Sequence, residues 1–217
     1  MMLVISTGLH TPEIARARCL RSVKEQVGVD VEHRVFDAEL PDPEKPWAHF
    51  QILTECLKSE APDTIVVSLD LDDWLARPDA LAIVQKHHDD GAWMTWGSFK
   101  FSDGRKGFAS DFSGDARTEP WVLTHLKSYR AGIFNRIRVD DLKMGGEWLT
   151  HARDLAVMLP AYEMCPPERR HFIDEVLYVY AYEHSTEFRG PESVRQHERT
   201  CVAHVRSRPR YEIVEKL

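Results

Sequence analysis

The sequence lacks the features that mark membrane proteins, redox proteins and nucleic-acid-binding proteins. No apolar run approaches the roughly 18 residues that span a bilayer, and the opening MMLVISTGLH has neither a basic start nor a long apolar stretch. The 4 cysteines are scattered without a C-x-x-C pair, which indicates reduced structural thiols. The formal net charge of -7 argues against general nucleic-acid binding. We therefore expect a cytoplasmic protein with no transmembrane segment and no nucleic-acid partner.

Short apolar runs alternate with helix-like segments near the N-terminus. LVIST (3–7) is typical of a buried strand, VEHRVFD (31–37) alternates and is β-branched enough for a second strand, and TIVVSL (64–69) predicts a third. Between them, Thr11 is expected to cap a first helix, and Trp47 opens a set of apolar residues at helical spacing that predicts a second. Strands that alternate with helices predict right-handed crossovers and a mostly parallel sheet covered on both faces. This is a nucleotide-binding α/β architecture.

The rest of the chain is less regular, and its 217 residues suit one domain with a sizeable core. Pro160 is expected to kink or end the helix that contains it. The predicted elements are a helix over 79–90, a strand over 92–101, a loop over 102–114, a loop running into a short helix over 125–137, a helix over 146–164 and a strand over 172–183.

Three carboxylates follow the third predicted strand, in the segment VVSLDLDDWL (66–75). Asp70, Asp72 and Asp73 repel one another at this spacing, so they need solvent, protonation or a bound cation. Asp37 ends the second strand and Thr7 ends the first. Because ligands of open α/β sheets bind outside the carboxyl ends of the strands, these polar groups are predicted to face one crevice.

The Asp-x-Asp motif fits two kinds of enzyme. One is a phosphatase of the haloacid dehalogenase type, in which the first aspartate is a nucleophile; the other is a transferase that binds a metal diphosphate. The phosphatase places its motif on the first strand, followed by a small hydroxylic residue. Here two β–α units precede the motif, Trp74 stands where the hydroxyl would be, and no lysine with an acidic pair follows later strands. The transferase is therefore favoured.

Three segments in order resemble glycosyltransferase family 2. They are RCLRSVKEQ (18–26), SLDLDDWLARPDAL (68–81) and ARDLAVMLPAYEMCPPERRHFIDEVLYVYAY (152–182). The resemblance implies an α/β GT-A (Rossmann-like) nucleotide-diphospho-sugar transferase fold with a mixed central sheet. It implies a single domain over 1–217, with a nucleotide-binding half (1–100), an acceptor-side half (101–190) and a charged C-terminal segment (191–217).

The resemblance also implies a donor site at the three strand ends. Asp72 and Asp70 would bind Mn²⁺ or Mg²⁺, and Asp70 would also meet ribose or a metal-bound water. Asp73 would orient the loop or touch the donor sugar, or simply cap the next helix. The nucleotide sugar, with a UDP-sugar favoured, would contact Thr7, Asp37, Asp70 and Asp73.

An inverting transfer needs a carboxylate that takes the proton of the acceptor hydroxyl. By resemblance this base is Asp154, and a nearby Arg153 would keep it ionised. Glu147, at the expected helix start, and Glu163, beyond Pro160, are weaker alternatives.

Several other residues have two interpretations each. His125, Lys127 and Arg130 could bind phosphate on the acceptor side or be ordinary loop polarity. Trp93, Trp96 and Trp148 could stack on a sugar or belong to the core. The segment RQHERTCVAHVRSRPR (195–210) could close over the diphosphate, with His204 as a metal ligand, or form a solvated helix with a frayed tail.

The sequence thus predicts a metal-dependent inverting glycosyltransferase that moves a sugar from a nucleotide sugar to a saccharide or other hydroxyl acceptor. The alternative is a non-catalytic nucleotide-sugar-binding module of the same fold. It is motivated by departures from the family pattern: Thr7-Gly8-Leu9 at the first turn, Asp37 followed by Ala38, and Arg153 where an acid is usual.

Overall fold

The computed structural model describes residues 1–8, 11–37, 48–184 and 190–217. Its strands are β1 Met2–Gly8, β2 Val31–Asp37, β3 Ile65–Asp70, β4 Trp74–Leu75, β5 Met94–Phe101, β6 Lys127–Arg130, β7 Lys143–Met144, β8 Glu147–Trp148 and β9 Arg170–Tyr180. Its α-helices are α1 Glu13–Lys24, α2 Ala48–Lys58, α3 Ala80–Asp89, α4 Ala131–Phe134, α5 Arg153–Met164 and α6 Glu192–Ser207. Short 3₁₀ helices cover Val139–Leu142, Pro167–Arg169 and Tyr182–His184.

A seven-stranded sheet runs through the molecule in the order β2-β1-β3-β6-β5-β9-β4. The β2-β1-β3 part is parallel, as the alternation of strands and helices predicts. Beyond it, β6 lies antiparallel to both β3 and β5, while β5 and β9 are parallel and β4 is antiparallel to β9. The mixed sheet is confirmed, and a mostly parallel arrangement holds only for the N-terminal part.

Helices cover both faces of the sheet. In β1, Leu3 and Ile5 pack into one core while Met2 and Val4 pack into the other, because successive strand residues point to opposite faces. The first core also takes residues from α2, α4, α5 and α6, and the second takes residues from α1 and α3. Within the described ranges, no helix is long and apolar enough to cross a membrane.

Local geometry corrects two helix boundaries. Helix α1 begins at Glu13 with Pro12 at its N-cap and no side-chain cap hydrogen bond, so the predicted capping by Thr11 is wrong. Helix α5 begins at Arg153 and not near residue 146. Glycines at 145 and 146 adopt positive φ angles of 63° and 88° in the turn that joins β7 to β8, a conformation that glycine tolerates.

Two further predictions for the second half need revision. Helix α5 passes through Pro160, which is buried in it, and continues to Met164, so Pro160 does not end the helix, and the kink stays a prediction. The segment 125–137, predicted as loop and short helix, contains the sheet strand β6 before α4. Residues 102–114 form the predicted loop, which turns back along β5 through the pair Lys100–Lys106. Trp47 lies outside the described residues.

Candidate functional site

Three neighbouring strands end together, as the sequence predicts. The register places Thr7 of β1 beside Asp70 of β3, and Gly8 beside Asp37 of β2. The carbonyl of Thr7 also accepts a hydrogen bond from the N–H of Leu71 at 2.8 Å. This bond extends the pairing of β1 with β3 into the acidic segment. Asp37 and Asp70 therefore flank β1, about two strand spacings (~10 Å) apart.

Asp37 has a buried oxygen with an unmet hydrogen-bonding capacity. Its Oδ2 lies 3.3 Å from Nε of Arg16 in α1. Its Oδ1 is buried without a hydrogen-bond partner among the described residues. Such an atom is costly unless another group binds it, so Asp37 is suited to accept a hydrogen bond from a ligand at this strand end.

Asp73 is buried and hydrogen-bonded within the protein. It is 2 % exposed, and its carboxylate accepts the N–H of Ala181 at 2.6 Å and the hydroxyl of Tyr178. Burial, reinforced by Asp70 and Asp72, holds the pKa of Asp73 well above its ordinary value. These contacts match loop orientation, one of the roles that the sequence predicts for Asp73. Helix α3 has Asp79 at its N-cap, so Asp73 does not cap it.

Asp70 and Asp72 are half-buried beside this anchor. The hydroxyl of Tyr178 lies 3.4 Å from Oδ2 of Asp70. Arg18 donates to the main-chain carbonyl of Asp72 at 3.3 Å and stacks 3.5 Å over the ring of Trp74. Within the described ranges no group of three or more His, Cys, Asp or Glu side chains could hold a metal unaided. Two carboxylates do fit Mg²⁺ or Mn²⁺ that takes its other ligands from phosphate and water.

Asp154 forms an ion pair with Lys127 at the start of α5. Lys127 lies in the central strand β6 with its side chain 5 % exposed, and its Nζ is 3.1 Å from Oδ2 of Asp154. The Asp154 side chain is 48 % exposed. The sequence predicts Arg153 as the partner of Asp154, but the charged hydrogen bond comes from Lys127.

The ion pair controls the protonation of both groups. Partial enclosure works to raise the pKa of Asp154, but the charge of Lys127 outweighs it, so this pKa is lowered. Burial works to lower the pKa of Lys127, but Asp154 and then Asp70 outweigh it, so this pKa is raised. Near neutral pH the site therefore holds an ionised Asp154 and a charged Lys127. Burial lowers the pKa of Arg153, and Asp70 and Asp154 oppose this shift.

A cavity of about 180 Å³ opens beside Asp154. Its aromatic lining is Phe99, Phe101, Phe108, Trp121 and Tyr180. Its polar lining is Thr124, His125, Asp154, Glu198 and Arg206, and Ala152, Leu155 and Val202 complete the wall. The cavity thus joins Asp154 to an aromatic surface with several polar groups.

The structure places the other candidate bases away from this cavity lining. Glu147 is exposed in the small β7–β8 hairpin. Glu163 is held by Arg117 in a buried ion pair. Glu198 of α6 lines the cavity, and no sequence motif pointed to it. A signal existed, because Glu198, Val202 and Arg206 are four residues apart and so share one helix face.

The remaining candidates take structural positions. Trp96 is 1 % exposed in the core, and Trp93 and Trp148 pack against that core, which confirms the core interpretation. Arg130 donates to the carbonyls of Asp63 and His88 at the opposite end of β6. His204 binds the carbonyl of Lys143 at 2.9 Å.

No protein-family model matches the sequence, and no curated protein matches it. Solved structures do. S. aureus TarS aligns with 83% of this chain at a TM-score of 0.58 and 18% identity. TarS 1-349 in complex with UDP-GlcNAc aligns with 98% of this chain at a TM-score of 0.61 and 15% identity. The chain has a GT-A fold.

The likeness covers part of TarS. This chain spans 36% of the longer TarS structure and 68% of the 1-349 structure with UDP-GlcNAc. A third structure, TarS 1-349 in complex with UDP, aligns with 86% of this chain and 62% of its own length, at a TM-score of 0.54 and 14% identity. The GT-A fold excludes the haloacid dehalogenase alternative. The acidic motif of this chain ends the third strand of the sheet, whereas such a phosphatase has its motif on the first strand.

Proposed function

We propose that this chain is a metal-dependent inverting glycosyltransferase that moves a sugar from a nucleotide sugar, with a UDP-sugar favoured, to a hydroxyl acceptor. The observation that carries the proposal is the alignment of Asp37, Thr7 and Asp70 at three strand ends. Tyr178 links them to the cavity that Asp154 lines, because it contacts Asp70 and stacks on His125 of the cavity wall. TarS, a glycosyltransferase with the same fold, has been solved with UDP-GlcNAc and with UDP.

The donor site would use the strand ends. Asp70 and Asp72 would hold Mn²⁺ or Mg²⁺, which when bound supplies positive charge to the departing diphosphate. Burial lowers the pKa of Arg153 and the charge of Asp70 opposes this shift, so the two side chains are near each other, and Arg153 would add positive charge beside the diphosphate. Asp37 would accept a hydrogen bond from the nucleoside through its Oδ1, which has no partner among the described residues. Asp73 would hold the loop in place through Tyr178 and Ala181.

The acceptor site would use the Lys127–Asp154 pair. As the acceptor oxygen attacks the anomeric carbon, its proton passes to Asp154, which Lys127 keeps ionised beforehand. Because one base acts without a covalent intermediate, the product would have the inverted configuration.

A second candidate is a non-catalytic nucleotide-sugar-binding module of the same fold. One observation favours it: Lys127 lowers the pKa of Asp154 and thereby weakens it as a base. Metal-dependent transfer or hydrolysis of a UDP-sugar supports the enzyme, whereas nucleotide-dependent thermal stabilisation without turnover supports the module.

The test of the donor site is the variant Asp72→Ala. We expect it to weaken UDP binding in the presence of Mn²⁺ by at least about tenfold, measured by titration calorimetry, because it removes a proposed metal ligand. Asp79→Ala is the matched control, since Asp79 is an exposed acid in the same segment that pairs with Arg77. UDP binding that persists unchanged in a chelator would contradict metal dependence.

A further inference from the structure

The cavity beside Asp154 contains unsatisfied polar groups. In the part of the chain that the structure describes, the buried side-chain polar atoms without a hydrogen-bond partner include Thr124 Oγ1, His125 Nδ1 and Arg206 Nε. All three residues line this one cavity. Thr124 is 6 % exposed, so solvent does little to satisfy its hydroxyl. Since unpaired buried polar groups are costly, their grouping around one space indicates a ligand with several hydrogen-bonding atoms.

The aromatic rings form a continuous wall around these groups. Phe99 contacts Phe108 at a centroid distance of 5.4 Å, His125 at 5.8 Å and Tyr180 at 6.1 Å. Phe101 extends the wall through Tyr180 at 5.8 Å. An aromatic wall with a few directed polar groups suits a ring that is apolar on its faces and polar at its edge.

The charges in the cavity do not favour an anion. Asp154 and Glu198 contribute two carboxylates against one guanidinium, from Arg206. Burial, followed by the charge of Lys127, holds the pKa of His125 well below its ordinary value, so His125 is neutral. When the charge of Lys127, which pairs with Asp154, is included, the net charge around the cavity is zero. A phosphate or carboxylate ligand would meet no excess of positive charge here.

The size of the cavity limits the ligand to a small group. Its volume of about 180 Å³ far exceeds the ~10–15 Å³ that one water needs. It is smaller than the ~300–1,000 Å³ of pockets for drug-sized ligands. One sugar ring suits this space, with the remainder of a longer acceptor outside.

We propose that the cavity binds the acceptor as a single uncharged pyranose ring, packed against the aromatic wall and hydrogen-bonded to Thr124, His125 and Arg206. This proposal rests on the proposed function. One ring hydroxyl faces Asp154 and attacks the anomeric carbon of the donor. The new C–O bond forms as the bond to the diphosphate breaks, the electron pair leaves with the diphosphate, and the hydroxyl proton goes to Asp154.

The first experiment measures the binding of simple probes by ligand-observed NMR. The neutral probes are methyl pyranosides of gluco, galacto and manno configuration, the anionic probe is methyl glucuronide, and the apolar probe is cyclohexanemethanol. We expect at least one neutral pyranoside to bind about threefold or more tightly than the glucuronide. If the glucuronide or cyclohexanemethanol binds as tightly as the best pyranoside, or no pyranoside binds, the proposal is wrong.

The second experiment places the bound ring in the cavity. Val202→Trp fills the space, so pyranoside binding should be lost, while Ala203→Trp adds the same bulk at an exposed position of α6 and should have no effect. Thr124→Val keeps the shape but removes the hydroxyl, and should weaken pyranoside binding about 3- to 10-fold. Pyranoside binding that survives both cavity variants, with their melting temperatures near that of the wild type, would place the sugar elsewhere.

The same variants also distinguish the cavity proposal from the proposed glycosyltransferase function on which it rests. UDP binding with Mn²⁺ should be unchanged in Val202→Trp and Thr124→Val, because neither residue lies at the strand ends. If UDP fails to bind the wild type while pyranosides bind in the cavity, the donor-site proposal fails and the cavity assignment stands as a sugar site. If UDP binds while the pyranosides do not, the cavity assignment fails alone.

Discussion

Burial separates Asp73 from the two acids that precede it. Its carboxylate is held by Tyr178 and by the N–H of Ala181, both from the end of β9 or just beyond it. The ring of Tyr178 stacks on His125 with centroids 4.3 Å apart. The acidic segment is thereby connected through β9 to the wall of the cavity, so the proposed donor and acceptor sites share one structural support.

Asp154 is the residue on which the proposed chemistry most depends. Asp154→Asn keeps the shape of the side chain but removes its ability to take a proton, so turnover should fall by about 10²–10⁴ while donor affinity changes little. The measurements are the rate of sugar transfer and calorimetric titration with UDP. Glu147→Gln, a change in an exposed hairpin, is the control and should keep full activity.

Two outcomes would remove Asp154 from this role. Near wild-type turnover in Asp154→Asn would move the base elsewhere, with Glu198 tested next because it also lines the cavity. Burial, and then Asp154, raises the pKa of Glu198, which would strengthen it as a base. A product with retained anomeric configuration would exclude a single-base mechanism whatever the variants show.

His88 is expected to make the fold sensitive to acid. It is 2 % exposed, lies 2.8 Å from the Ser128 hydroxyl and 3.0 Å from the carbonyl of Ala92, and faces Arg130, His171 and His87. Burial, then the charge of Arg130, lowers its pKa from 6.5 to about 3. Between about pH 6.5 and pH 3, His88 therefore binds a proton in the unfolded chain but not in the folded protein. The free energy of unfolding falls as the pH falls through this range.

The expected contribution of His88 is about 1.4 kcal/mol per pH unit between those two pKa values. His88→Gln should have a lower free energy of unfolding than the wild type near neutral pH. Between about pH 6.5 and pH 5, that free energy should fall by about 2 kcal/mol less in the variant than in the wild type. Urea unfolding at each pH measures both. Parallel pH profiles for the two proteins would show that His88 is protonated in the fold.

At the level of elements, the end of β1 meets the acidic segment without room for a side chain. A Cβ on Gly8 would lie 2.2 Å from Oγ1 of Thr11 and 2.8 Å from Cβ of Leu71. Leu71 sits between Asp70 and Asp72. The absence of a side chain at Gly8 therefore lets β1 support the proposed metal ligands at close range.

Gly8→Ala should lower the free energy of unfolding by about 1–3 kcal/mol, because it forces Leu71 to move. It should also weaken UDP binding with Mn²⁺, since Asp70 and Asp72 move with Leu71. Adding Thr11→Ala relieves one of the two close contacts, so the double variant should recover part of the stability and little of the binding. Full recovery of binding would show that Thr11, and not Leu71, is the decisive neighbour.

The elements show which parts of the fold the sequence can predict. Strands β1 and β3 are mostly apolar and β2 alternates, so their patterns predict these three parallel strands nearly to the residue. β6 was missed because it has four residues, two of them basic, and its burial comes from pairing with β3 and β5. The start of α5 was misplaced because two glycines at positive φ fold the preceding residues into a hairpin.

The candidate site was predictable to a similar extent. The positions of Asp37 and Asp70 at strand ends follow from the strand pattern, and Asp154 is suggested by the resemblance to glycosyltransferase family 2; their roles in binding and catalysis stay predictions. The partners of these acids come from distant parts of the chain: Lys127 for Asp154, and Tyr178 for Asp73. Glu198 enters the cavity because α6 packs across the molecule, and a helical pattern alone does not say which wall its face will meet.

At the scale of the whole molecule, the C-terminal segment is part of the body and not a frayed tail. Arg208 lies 2.7 Å and the hydroxyl of Tyr211 lies 2.6 Å from the carboxylate of Asp141, which is 3 % exposed. Arg117 donates to the carbonyls of Arg206 and Arg208. Three of its five arginines, Arg206, Arg208 and Arg210, bind groups elsewhere in the fold, whereas Arg195 and Arg199 pair with Glu192 within α6.

This anchoring also builds the cavity. Glu198, Val202 and Arg206 of α6 form part of its wall, and Nη1 of Arg206 binds the carbonyls of Arg117 and Glu119 at 2.8 Å and 3.0 Å. The C-terminal segment therefore contributes to fold stability and to the proposed acceptor site at once. Removal of the C-terminal segment should therefore lower both the stability of the fold and binding at the proposed acceptor site.

Deletion of residues 208–217 should lower the free energy of unfolding by about 3–5 kcal/mol, because it removes two partners of the buried Asp141 carboxylate. Arg208→Met breaks one of these contacts and should cost less than the deletion. Arg195→Met is the control, since Arg195 forms an exposed pair with Glu192 within α6 and should shift stability by less than about 1 kcal/mol. Urea unfolding measures all three, and an unchanged midpoint in the deletion would mean that the segment is solvated after all.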